Sequence, residues 1–117
     1  ANMSSGREEA KAVAVGDMIF VLGGCDNKRQ LFSCEVFVSA RKEWRMWMSM
    51  SKSRSSFAAC RCERGGGGRR EAIAIIGGFN DRSAASMKEV EVLHGPRCRE
   101  TFWWKHLPAM RIPRADF

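Results

Sequence analysis

The sequence has 117 residues, of which 44% are hydrophobic and 28% charged, and its formal net charge is +7. That composition supports a packed core and argues against a disordered chain, and no run approaches the ~18–20 uninterrupted apolar residues of a membrane-spanning helix. No secretory leader is visible. Five cysteines without a regular spacing read as reduced thiols in a cytoplasmic or nuclear protein rather than as a disulfide framework.

Residues 1–9 read as an N-terminal tail, with the polar run at 4–8 given no structural weight. Residues 10–15 are small, apolar and β-branched, and predict a strand. Gly16-Asp17 follows as a two-residue hairpin turn, with glycine first as a type II′ turn favours. Met18–Leu22 returns as a second strand whose continuous apolar character predicts burial on both faces. Gly23-Gly24 ends it, at a place where the backbone needs positive φ or a close approach. A polar loop (25–30) leads to a third strand, Cys34–Val38, and a turn (39–42) leads to a fourth over 43–48. There Trp44, Met46 and Met48 alternate with Arg45 and Trp47. Lys52, Ser53 and Arg54 form a basic linker.

The cycle then restarts. Residues 57–62, 72–76, 90–93 and 102–105 predict four more strands, with a glycine-rich loop at 64–70 and a second linker at 107–114. Residues 114–117 would open a further strand in mid-pattern, so the sequence reads as an excerpt of a longer protein. No segment carries a helical period. The expected class is all-β, two four-stranded antiparallel meanders, with units at 10–53 and 54–113.

The two units repeat one another. Gly77-Gly78 follow Gly23-Gly24 by 54 positions (77 − 23). Trp104, Met110, Arg114 and Phe117 follow Trp44, Met50, Arg54 and Phe57 by 60 each (104 − 44 and so on). A repeat of about 50 residues built from short strands marks a solenoid or propeller.

This pattern resembles the kelch repeat: an apolar strand ending in Gly-Gly, an acidic-apolar strand, then Trp, Met and Arg before the next unit. One unit supplies Gly23, Gly24, Glu35, Val36, Trp44, Met50 and Arg54, and the other Gly77, Gly78, Glu91, Val92, Trp104, Met110 and Arg114. The family often carries Tyr before Gly-Gly and after the Glu-Val pair. This sequence has none, and Phe20, Ala74, Phe37 and Leu93 stand there instead. The resemblance implies blades of a kelch-type β-propeller, a partial one, since closure takes about 4–8 blades. Missing repeats or self-association would complete it, and three copies forming a six-bladed ring is one such closure.

The resemblance implies a non-catalytic protein-interaction module, with protein or acidic peptide as partner. Within it, Arg54, Ser55, Ser56 and Arg114 are the expected partner-binding residues, because arginines at this position line the binding face in kelch substrate adaptors. Guanidinium forks suit carboxylates. Gly23, Gly24, Trp44, Gly77, Gly78 and Trp104 are the expected structural repeat residues. Trp47 and Trp103 are extra aromatics and candidates for a contact surface. The first specific role implied is substrate recognition for a cullin-RING ubiquitin ligase adaptor. The alternatives are the regulatory kelch region of a larger enzyme, such as a kelch-containing phosphatase, or a basic nucleic-acid-binding surface.

Other motifs read as structure. The basic residues fall mostly between apolar runs and read as solvated loop charge, which makes nucleic acid the weaker partner class. The Gly65–Gly68 run lacks the Gly-Lys-Ser/Thr and following helix of a phosphate loop. Cys60-x-Cys62 with His94 and Cys98 lacks zinc-knuckle spacing, so no metal or other cofactor is expected. His94 and His106, the only histidines, lack the elbow of a nucleophile. No catalytic residue is expected, nor any membrane association.

Overall fold

The computed structural model describes residues 2–63, 71–94 and 103–116. Strands β1 (Lys11–Val15), β2 (Met18–Leu22), β3 (Cys34–Val38) and β4 (Glu43–Trp47) form one antiparallel sheet in that order. Strands β5 (Ala58–Glu63), β6 (Glu71–Ile76), β9 (Val90–His94) and β10 (Trp103–Leu107) form a second sheet of the same meander, while β7 (Phe79–Asn80) and β8 (Ala85–Ser86) make a small hairpin between β6 and β9. The expected all-β class and the two four-stranded antiparallel sheets are present, and no α-helix occurs among the described residues. The expected strands agree with the observed ones to within a residue or so at each end. The β7–β8 hairpin was not among the expected strands.

Local chemistry explains the first hairpin. Gly16 has φ +61, the positive value that the first position of a type II′ turn demands and that glycine takes without steric cost. The resulting register sets Phe20 between Val13 and Val36, so alternate residues share a face. One face of the first sheet carries Val13, Val15, Phe20, Leu22, Cys34 and Val36, and packs on Ile73, Ile75 and Leu93 of the second. Phe57, in the linker between them, is fully buried.

The expected burial of both faces of Met18–Leu22 is corrected. Phe20 and Leu22 are sealed, but Ile19 is 40% exposed. Only one face of this sheet meets another sheet, so the strand alternates as a one-sided strand does. The tryptophans divide the same way. Trp47 meets Phe20 edge-on, 5.7 Å between ring centroids, on the side facing the second sheet. Trp44 lies against Phe37 at 5.3 Å on the opposite side. Trp104 packs at the sheet-to-sheet core and donates its indole N–H to the Met48 carbonyl at 3.1 Å.

Cys25, Cys34, Cys60 and Cys62 are all free thiols. Burial pushes the Cys34 thiol up to about 12, whereas Cys60 is exposed. A folded-state pKa above the unfolded one favours the thiol, so this contribution to stability is present below pH ~8.5 and is lost as pH rises towards about 12. The expected outcome of iodoacetamide labelling at neutral pH is rapid alkylation of Cys60 and protection of Cys34 until urea unfolds the chain. Equal labelling of the two in the folded protein would contradict this packing.

Candidate interaction surface

The glycine pairs are sockets for the linkers. Gly23 has φ +57, and a Cβ there would stand 2.8 Å from the Arg54 carbonyl oxygen and 2.7 Å from the Met50 methyl. Gly77, at φ +61, would meet the Arg114 carbonyl and the Met110 methyl in the same way. The adjacent amides close each socket: Gly24 N–H donates to the Arg54 carbonyl at 2.9 Å and Gly78 N–H to the Arg114 carbonyl at 2.7 Å. Arg54 N–H returns to Leu31 and Arg114 N–H to Met87. Each linker is therefore clipped to the sheet it leaves.

The arginine side chain grips the sheet it enters. Arg54 Nη1 donates to the Gly77 carbonyl at 3.0 Å, and Nη2 to Glu91 Oε2 at 2.9 Å, with both side chains wholly buried. Burial pulls the Arg54 guanidinium below its ordinary pKa, against the pull of Glu91 and Glu89. Arg7 does the same one unit earlier, donating to the Gly23 carbonyl at 3.0 Å and to Glu35 Oε2 at 2.9 Å. Ser4 N–H donates to the other oxygen of Glu35 at 2.7 Å. Burial acts to raise the Glu35 carboxyl, but the Ser4 and Arg7 hydrogen bonds outweigh it and hold it below the usual range. Residues 4–8, expected to be a weightless tail, are therefore part of the first sheet's structure. Glu8 and Cys25 also exchange both backbone hydrogen bonds.

Between the two sheets, on the side of the loops that follow the glycine pairs, lies a groove of about 600 Å3. Gln30 and Asn80, both buried, brace its floor. The Gln30 amide donates to Ser55 Oγ and to the Phe79 carbonyl, and its oxygen accepts from Ser53 Oγ and Asp81 N–H. Asn80 donates to the Ser53 carbonyl at 2.7 Å. Its lining also includes Phe32, 54% exposed, with the cations Lys52 and Arg82. Lys52 reaches Glu89 at 3.4 Å, an exposed pair of little energetic weight.

Residues 6–51 match the family model of the Kelch motif. This stretch is similar to a kelch repeat. The match takes in Arg7, both glycines, Glu35, Trp44 and Met50, and the second sheet repeats the same contacts around Gly77, Glu91 and Arg54. No curated protein matches the chain.

This geometry redistributes the expected partner-binding residues. Arg54 is corrected: its guanidinium is spent inside, on Glu91 and Gly77, and presents nothing to a partner. Ser55 is likewise buried, with its hydroxyl taken by Gln30. Ser56 is half-buried, at φ +54, and its backbone joins a ladder in which Ser56 N–H donates to Glu9 and Asp116 N–H donates to Ser56. Arg114 alone of the four is exposed. Of the groove cations, Lys52 read in sequence only as part of the basic linker and Arg82 was not singled out.

His94 is buried in β9, and His106 is exposed with Nε2 3.7 Å from Glu91 Oε1. Among the described residues no three His, Cys, Asp or Glu side chains gather as a metal-holding group. The Gly65–Gly68 run and Cys98 lie outside the described residues, as do the side chain of Trp103 and Phe117.

Proposed function

We propose that this chain is a non-catalytic protein-recognition module whose inter-sheet groove takes an acidic peptide segment carrying an apolar side chain. The match of residues 6–51 to the kelch motif supports a protein-interaction module in general. The groove supports the finer reading: Lys52 and Arg82 offer cations, Phe32 offers an exposed aromatic, and the braced Gln30–Asn80 floor presets the shape. Preset sites lose less ordering entropy on binding. In a larger protein, such a module suits substrate recognition for a cullin-RING ubiquitin ligase adaptor in the cytoplasm or nucleus. The outer face of the first sheet, where Ile19 and Met46 are exposed, would be covered by further repeats or by self-association.

The test is fluorescence anisotropy with an array of labelled peptides that pair Asp or Glu with Leu, Phe or Trp. Binding by members of that array is expected, weakened about tenfold or more (about 1.4 kcal/mol) by Lys52→Glu with Arg82→Glu. The circular dichroism spectrum should be unchanged, because both side chains are exposed. Retention of no peptide, or affinity indifferent to the charge reversal, would overturn the groove reading.

A further inference from the structure

The groove carries its own opposing charge. Among the described residues its charged lining is Lys52, Arg82 and Glu89, two cations against one carboxylate. Glu89 is fixed in place by both its backbone and its side chain. Its carbonyl accepts the Gly77 N–H at 3.0 Å, and its Oε2 accepts the Lys88 N–H at 3.1 Å. Its Oε1 lies 3.4 Å from Lys52 Nζ. The hydrogen bond from its own backbone N–H, aided by Lys52, holds the carboxyl below the usual range despite partial burial. Glu89 is therefore ionised at neutral pH.

The floor offers an anion little else. The Gln30 amide donates to Ser55 and Phe79, and the Asn80 amide donates to the Ser53 carbonyl. The Ser53 hydroxyl donates to Gln30, and the Ser83 hydroxyl to Asn80. These donors are spent within the protein, so a ligand's negative charge is met by the heads of Lys52 and Arg82. A carboxylate brings one negative charge, whereas a phosphomonoester brings about −1.5 to −2 at neutral pH. A formal excess of one cation matches the carboxylate. For the phosphate, the repulsion from Glu89 is up to about twice as large.

We propose, resting on the groove reading above, that Glu89 is the specificity-determining residue of that site: it makes the groove select a carboxylate side chain of the partner peptide and reject a phosphorylated one. The exposed pair with Lys52 contributes little to stability. It acts instead by lowering the positive charge the groove presents, which penalises the more highly charged competitor. Phosphorylation of a partner at the contacting position therefore releases it rather than recruiting it.

Fluorescence anisotropy at neutral pH and fixed ionic strength tests it, with each labelled peptide of the array made in two forms, Glu or phosphoserine at the acidic position. The parent chain is expected to bind the Glu form about fivefold or more tightly than the phosphoserine form. Glu89→Gln keeps the size of the side chain and an oxygen for the Lys88 N–H, so the circular dichroism spectrum should be unchanged. It should erase the preference, tightening the phosphoserine form about fivefold more than the Glu form. A parent chain that does not favour the Glu form, or a Glu89→Gln chain with the parent's preference, overturns the inference and leaves the groove reading in place. Binding of neither form by the parent chain overturns both.

Discussion

Arg54→Ala is expected to remove about 3–5 kcal/mol of stability, a large part of the ~5–15 kcal/mol that holds a domain together. The substitution leaves the Glu91 carboxylate and the Gly77 carbonyl without their buried donor. A charge stranded in the interior costs far more than the net worth of the pair, because the desolvation of Glu91 is no longer offset. Glu91 has little in reserve, since among the described residues its Oε1 has no hydrogen-bond partner and His106 stands off at 3.7 Å. Arg54→Lys is expected to rescue only part of the loss. A single ammonium keeps the charge but lacks the fork that reaches two acceptors at once. Urea denaturation followed by circular dichroism measures both. A midpoint within error of the parent for Arg54→Ala would contradict the burial of this side chain.

The second large effect is expected at Gly77→Ala. A left-handed backbone costs an L-residue about 1–2 kcal/mol, and Gly77 has φ +61. The new Cβ would also stand 2.5 Å from the Arg114 carbonyl oxygen, which is backbone and cannot swing aside. The linker must shift, and with it the hydrogen bond from Gly78 to Arg114. A total loss of more than about 2 kcal/mol is expected. Gly6→Ala is the control, because nothing lies within 4 Å of the added carbon and only a few tenths of a kcal/mol are expected. Equal midpoints for the two variants would show that the glycine pair is not a socket.

The strands and the repeat were legible because their signals are local. Short apolar runs end in Gly-Gly, and Trp, Met and Arg follow at fixed offsets. The arginine's role was not legible in the same way. Its partners lie 28 and 37 positions away, and the distance from arginine to the next glycine pair is 16 in one unit and 23 in the other. The hairpins between absorb that difference, so no fixed offset announces the bond. Arg54 among serines therefore looked like surface, and Arg7 like tail. The signal that could have found them is the recurrence of an arginine ahead of each apolar, Gly-Gly, acidic series: Arg7 before Glu35, and Arg54 before Glu91.

The candidate site was legible only in outline. The first polar loop was legible as a loop, but that Gln30 and Asn80 brace a groove there was not. Lys52 and Arg82 gave no local signal, because a loop cation reads the same whether it faces bulk water or a cleft. The one-sided exposure of Ile19 was missed for a similar reason. An apolar run tells that a strand can be buried on both faces, not whether a second sheet is there to cover it.

Arg54 rivets the first sheet to the second rather than holding a ligand. A double-mutant cycle on Arg54 and Glu91 tests it most directly, using urea unfolding of Arg54→Met, Glu91→Leu and the pair. Removing either partner alone strands the other, whereas removing both leaves an apolar contact that is close to neutral. The double variant is expected to be more stable than either single one, with a coupling of about 2–3 kcal/mol. Additive losses, with the double variant the least stable, would contradict it.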